Sequence, residues 1–330
     1  MNSNDIKLEW ALVDADDFLQ LDVPIKRKIL RPWLTEQSIN QISGWRGTGK
    51  TWFGLSLFNS VTTGETFGPW EVENVISALY VDGELPAQDI QDRFRQLSCH
   101  GRKEPLYLYS DAYAHTLGMP RASLLNRKWR ESIKAILIEK GIKLLGLDNI
   151  SSLAAGIDEN SKQAWDPINQ WLLDLRFAGI STVFFHHTNK GGDQRGTSGR
   201  EDNLDTSIIL QRPSDYMADQ GAKFVCRFKK SRVQTSDLNL IGDVEFTLIQ
   251  SNGCLQWTWG NVKRKTQFEI LRMLDEGTAQ SDIARALGID RSYVNRVKAR
   301  AIKEGHLSKT GKLTQDGLTL VNSSLEEDEN

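Results

Sequence analysis

Gly44-Trp45-Arg46-Gly47-Thr48-Gly49-Lys50-Thr51 satisfies G-x-x-x-x-G-K-T at every fixed position. Residues of these types at this spacing bind phosphate. The glycines let backbone N–H groups turn inward around anionic oxygens, and a helix opening directly behind them adds the positive end of its dipole. Lys50 would reach the β- and γ-phosphates, and Thr51 would ligate Mg²⁺. Trp45 lies within the motif and Trp52 directly follows it, and each would either stack on a nucleotide base or pack.

Two carboxylates extend the chemistry. Lys143–Leu147 is an apolar strand followed by Asp148, and an acid at the end of a parallel strand beside a phosphate loop can hold the Mg²⁺ shell. The next residue is Asn149, so a catalytic base must come from elsewhere. Glu84, in Leu79-Tyr80-Val81-Asp82-Gly83-Glu84, ends another strand and would orient an attacking water, with Asp82 as the competitor.

These residues need a scaffold that brings several strand ends together. Apolar runs at Ile39–Ser43, Val75–Val81, Leu106–Tyr109, Ile142–Leu147, Thr182–Phe185 and Thr206–Leu210 predict strands. Amphipathic stretches at Lys50–Thr62, Ala87–Leu97, Asn126–Glu139 and Asn160–Phe177 predict helices between them. Alternating strands and helices indicate βαβ units, an α/β fold and a mainly parallel central sheet. After Gln211 the pattern becomes β-rich, with strands at Phe224–Phe228, Val244–Gln250 and Leu255–Trp259, the last two joined by a Ser251-Asn252-Gly253 turn. These extend the sheet as an antiparallel edge.

A third region follows. Gln267–Asp275, Gln280–Leu287 and Arg291–Lys303 are helical, with Gly288-Ile289-Asp290 between the second and third, which is helix-turn-helix spacing. Lys309–Leu320, with Gly311 and Gly317, would form a small wing. The expected organisation is a lead-in over 1–36, an ATPase-type core over 37–262, a winged helix-turn-helix-like module over 263–320 and an acidic disordered tail over 321–330. The net charge of −2 hides an asymmetry: residues 263–312 carry twelve Lys/Arg against six acids, and the segment from 313 carries five acids and no base.

With these motifs in place, the chain resembles RecA-fold P-loop ATPases, close to hexameric replicative helicases of the DnaB and plasmid RepA type. Tyr80–Pro86 resembles that family's strand ending in a Glu-hydrophobic-Pro step, where the Glu is the catalytic base. Phe184–Lys190 resembles the next strand end, which carries a γ-phosphate sensor, and His187 stands in that place. Arg195–Arg200 followed by Asp205 resembles the family's glycine-rich loop and its acid. Phe228–Arg232 resembles its K-x-R step, and the resemblance implies that Lys230 and Arg232 reach a neighbour's γ-phosphate in trans. It covers roughly residues 25–235. It implies ATP and Mg²⁺ as cofactors and a homo-oligomeric ring, expected as a hexamer.

Phosphoryl transfer needs positive charge on the transferring oxygens, and no residue within one subunit is an obvious arginine finger. Lys190, Arg195 and Arg200 lie in a small, basic, glycine-rich stretch that would track a single-strand phosphate backbone. Arg291, Tyr293, Asn295, Arg296 and Lys298 on the last helix of the triplet would meet duplex DNA.

Exclusions narrow the class. No apolar run approaches the roughly 20 residues that span a bilayer. The beginning of the chain has no signal-peptide core, and three scattered cysteines argue against a disulfide framework or zinc site. The expectation is a cytoplasmic DNA-associated ATPase: a motor or helicase serving a plasmid, phage or other mobile element. The alternatives are an ATP-gated DNA-binding regulator or loader, or a recombination or defence ATPase without unwinding.

Overall fold

The computed structural model describes residues 11–97, 101–158, 161–188, 203–213, 216–251 and 253–326. A short helix α1 (Ala15–Leu19) and a hairpin of β1 (Lys28–Leu30) with β2 (Leu34–Thr35) precede the main sheet. The core begins in that hairpin rather than at 37. Ile29, Leu30, Trp33 and Leu34 are buried, and Lys28 and Arg31 bind the buried carboxylate of Asp237 at 2.5 and 3.0 Å. These pairs hold Asp237 below the usual carboxylate range, Lys28 contributing most.

Among the described residues nine strands follow in one sheet: β3 (Ile39–Gly44), β4 (Ala78–Asp82), β5 (Leu106–Ser110), β6 (Leu144–Asp148), β7 (Ser181–His187), β8 (Thr206–Gln211), β9 (Lys223–Ser231), β10 (Val244–Ser251) and β11 (Cys254–Asn261). Their spatial order is β11-β10-β9-β8-β3-β7-β6-β4-β5. The six strands from β8 to β5 are parallel, and β9, β10 and β11 add antiparallel pairs on one side. This is the α/β arrangement with a mainly parallel sheet that the strand–helix alternation anticipates. Strands β3, β4 and β6 are buried at every position; β4 and β6 accordingly read as continuous apolar runs, while β3 also buries Asn40, Gln41 and Ser43.

Helices cover both faces. On one side lies α2 (Lys50–Thr63), whose Phe53, Leu57, Phe58 and Val61 are fully buried. Burying such a side chain contributes about 1.5–3 kcal/mol relative to exposure. With it pack α3 (Ala87–Leu97) and an aromatic group of Phe67, Trp70, Phe224 and Phe246. On the other side α5 (Arg127–Glu139), α6 (Ile150–Leu153) and α7 (Lys162–Phe177) bury Ile133, Leu137, Ile150, Ile168, Trp171 and Leu175. A short helix α4 (Asp111–Thr116) follows β5 directly.

The last fifth holds α8 (Val262–Asp275), α9 (Gln280–Ala286), α10 (Arg291–Lys303) and α11 (Gln315–Glu326) around their own apolar cluster of Ile270, Leu271, Ile283, Val294, Val297 and Leu307. The expected wing reduces to one bridge, Leu307 with Leu313, and the chain then turns helical. Gly317 lies inside α11, where a Cβ would fall 2.1 Å from the His306 carbonyl oxygen, so its role is close approach and not a turn. The helix also runs to Glu326, past the expected start of the tail at 321. Cys226 is a buried free thiol and Cys254 is disulfide-bonded, a bond that the scattered cysteines do not suggest. Among the described residues no helix is long and apolar enough to cross a membrane.

Candidate nucleotide site

The parallel register sets the site. It pairs Gly44 with His187 and Asp82 with Asp148, so β3, β7, β4 and β6 end together. Ligands in open α/β sheets bind at such carboxyl ends. The phosphate loop leaves β3 there and enters α2 through Gly49, whose φ of 111° is left-handed and suits glycine.

Lys50 is buried, and its ammonium donates to the carbonyls of Gly44 at 2.9 Å and Trp45 at 3.0 Å. Burial lowers its pKa to about 8, although Asp148 and Glu84 oppose the shift. Thr51 hydrogen-bonds Asp148, and the Tyr80 hydroxyl donates to the same carboxylate at 2.6 Å. Burial raises the Asp148 pKa against those partners. Asp82 is buried beside them and is pushed up to about 7, mainly by desolvation. Its Oδ1 accepts from the backbone N–H groups of Glu84 and Leu85 at 3.0 and 2.7 Å. That geometry makes Asp82 a brace for the turn and leaves Glu84 the solvent-facing acid. The Asn149 amide donates to the Glu84 carboxylate.

Three acids therefore converge near one lysine. The donor set fits Mg²⁺ on a nucleotide: Thr51 and Asp148 would hold the ion together with phosphate oxygens, and Lys50 would exchange its loop carbonyls for phosphate. Among the described residues no group of three His, Cys, Asp or Glu could hold a metal by itself.

His187 ends β7 opposite Gly44. Burial, with Lys50 and Arg46 nearby, lowers its pKa to about 4, so it is a neutral imidazole at pH 7. Its Nδ1 is buried and has no hydrogen-bond partner among the described residues. Trp45 and Arg46 lie exposed at the loop crest, Gly47 with them, while Thr48 is buried and donates to the Trp45 carbonyl at 2.7 Å. Trp52 packs against the core with the Arg93 guanidinium 5.0 Å from its ring centroid.

Lys230 and Arg232 are not brought to this end. Lys230 pairs with Ser207, and the Arg232 N–H donates to the Asp205 carbonyl beside the first residues of β8 and β3. Asp205 itself accepts from Ile39 N–H at 2.9 Å, lies 2.5 Å from Arg176 and 3.7 Å from Arg232. The length of β3, roughly 16 Å at 3.3 Å per residue, separates Arg232 from its own phosphate loop.

Arg212 is a neighbour that sequence reasoning missed. It follows β8 at the correct end of the sheet and donates to the Gly47 carbonyl at 2.8 Å, with its guanidinium 4.3 Å from the Tyr216 ring centroid. Tyr80 and Asn149 are also absent from the sequence-derived site, since a tyrosine inside an apolar strand and an asparagine after one carry no motif.

Lys190, Arg195 and Arg200 lie outside the described residues. On α10, Arg291, Asn295 and Arg296 are exposed, Tyr293 and Lys298 are half-buried, and Val294, Val297 and Ala301 face inward.

Fold and loop together define a P-loop ATPase built on a mainly parallel α/β sheet. The chain belongs to the AAA domain family, whose model matches residues 6–193. Strands β8 to β11 and the terminal helices lie beyond that match. Curated proteins give no match. Among solved structures the chain is similar to a KaiC-like protein from the hyperthermophilic archaeon Pyrococcus horikoshii, at 15% identity and a TM-score of 0.46, over 70% of this chain and 93% of that one.

Proposed function

We infer that this ATPase is an oligomeric DNA motor, a ring-forming helicase or translocase in which one subunit completes the site of the next. One observation carries the reading. Lys50, Thr51, Asp148, Glu84 and His187 gather at one end of the sheet, and the K-x-R pair Lys230/Arg232 sits at the other. In this reading ATP and Mg²⁺ bind at the loop, Glu84 orients the attacking water and His187 senses the γ-phosphate. Lys230 and Arg232 of a neighbouring copy stabilise the transferring phosphoryl group. Single-stranded DNA is taken by Lys190, Arg195 and Arg200.

The exposed Arg291, Asn295 and Arg296 on α10 favour a second reading, an ATP-gated regulator or loader that selects duplex sites. Hydrolysis assayed with single-stranded DNA, duplex DNA and no DNA, with particle mass recorded, separates the two. The motor reading expects stimulation by single strands in a ring-sized particle and loss of turnover in Lys50→Ala. Stimulation by duplex alone in a small particle would replace it with the regulator.

A further inference from the structure

Residues 11–25 are exposed at every position, yet they carry seven large apolar side chains: Leu12, Val13, Phe18, Leu19, Leu21, Val23 and Ile25. The helix within them, α1, buries nothing. The same stretch contains Asp14, Asp16, Asp17 and Asp22 and no basic residue. A segment this apolar is costly to leave in water, and a contiguous exposed apolar surface marks an interaction site.

A receptor of matching chemistry lies at the far margin of the sheet. Strand β5 is the last strand there, and Leu108 on it is 47% exposed. A groove of about 430 Å³ runs between β5 and α3, floored by Phe94, Leu106 and Leu108 and rimmed by Arg95 and Arg102. Arg95 bridges Asp92 on its own helix, and Arg102 donates to the side-chain carbonyl of Asn59 and lies over Phe94, so both cations are held at the rim. An apolar floor with two arginines is the complement of an apolar segment with four aspartates.

A second copy is the fitting occupant, because the segment leaves the groove of its own chain open: residues 11–25 are exposed throughout and α1 buries nothing. The segment joins the body at Lys26, which feels Asp205, Arg176 and Arg232. From β8 there to β5 are five strand spacings, about 24 Å across the sheet. The segment therefore leaves from the side that carries Arg232, and the groove opens on the opposite margin.

We propose that residues 11–25 of one copy dock in the α3–β5 groove of the next, strapping neighbours together. The proposal rests on the oligomeric reading of the site given above. It assigns the strap a role in assembly and none in phosphate chemistry.

The test uses the full chain with ATP and Mg²⁺, its mass followed by light scattering, and nucleotide affinity measured in parallel. A strap variant, Phe18→Asp with Leu19→Asp, and a groove variant, Leu108→Asp, should each raise the dissociation constant of the assembly at least tenfold. Both should bind nucleotide as the unaltered chain does. A second measurement fixes the partner: chains carrying Leu19→Cys are mixed with chains carrying Leu108→Cys and oxidised. A cross-link between the two kinds of chain supports the proposal. Unchanged assembly of both variants, or a bond that forms only when one chain carries both cysteines, overturns it and leaves the oligomeric reading standing. An unaltered chain that stays monomeric at every concentration with ATP removes that reading and the strap together.

Discussion

The hydroxyl of Tyr80 on β4 donates to Asp148 Oδ2 on β6 at 2.6 Å, and both residues are buried. Tyr80 lies opposite Gly146, two residues before Asp148 on the neighbouring strand. Gly146 and Gly54 leave room for the ring: a Cβ on Gly54 would fall 2.7 Å from the Tyr80 hydroxyl. The ring thus crosses an empty position to reach the acid that also binds Thr51. Tyr80→Phe keeps the ring and removes the donor. It should cost about 1–3 kcal/mol in denaturant unfolding, the penalty for an abandoned buried acceptor. Nucleotide binding should weaken in Mg²⁺ and stay unchanged in EDTA. Equal weakening in both would show that Tyr80 only packs.

Gly146 makes the same space testable from the other side. A Cβ there would lie 2.6 Å from Phe58 Cζ and 3.0 Å from the Tyr80 ring. Both rings are enclosed, so neither can retreat cheaply. Gly146→Ala should destabilise by about 1–3 kcal/mol or more through overpacking. A thermal midpoint equal to that of the unaltered chain would show that the rings shift freely.

Lys50 gives a proton-linked signature. Its ammonium has a pKa of about 8 in the free site, and phosphate oxygens would raise it. Nucleotide binding above that pKa should therefore capture protons. Calorimetric enthalpies measured in buffers of different ionisation heat report the number directly. Enthalpies independent of buffer in that alkaline range would mean that Lys50 does not meet the phosphates.

His187 carries the opposite test on stability. Its pKa is depressed from 6.5 to about 4, so the unfolded chain binds the proton more tightly across that interval. Stability contributed at this position is lost as pH falls from 6.5 to about 4. His187→Gln should flatten the acid limb of the stability curve in that window and leave the neutral and alkaline curve unchanged. An unaltered acid limb would place His187 in water.

Much of the fold and site is legible in the sequence. Strands β4 and β6 are readable because burial on both faces turns them into continuous apolar runs, as in Leu144–Leu147, whereas β5 at the margin is only part-buried and β3 also buries Asn40, Gln41 and Ser43. The end-of-strand rule then locates Asp148, Glu84 and His187. The hairpin at Lys28–Thr35 is not readable: its strands are three and two residues long, and Trp33 gains its burial from distant partners such as Trp70, 5.6 Å away between ring centroids. Helix α11 is hidden because Gly317 looks like a turn until the His306 carbonyl beside it is seen. Arg212 is hidden because a single arginine has no pattern; only the fold sets it against Gly47.

The central claim is that Arg232 works on a neighbour's phosphate loop, and complementation between two dead variants tests it most directly. Lys50→Ala removes the loop lysine and keeps Arg232; Arg232→Ala keeps the loop and removes the finger. Each alone should lose turnover by about 10³-fold or more. In an equal mixture about one interface in four joins an intact loop to an intact Arg232, because head-to-tail contacts pair unlike surfaces. The account expects hydrolysis to return in the mixture. Mixed assemblies of confirmed mass that stay as inactive as their parents would contradict it.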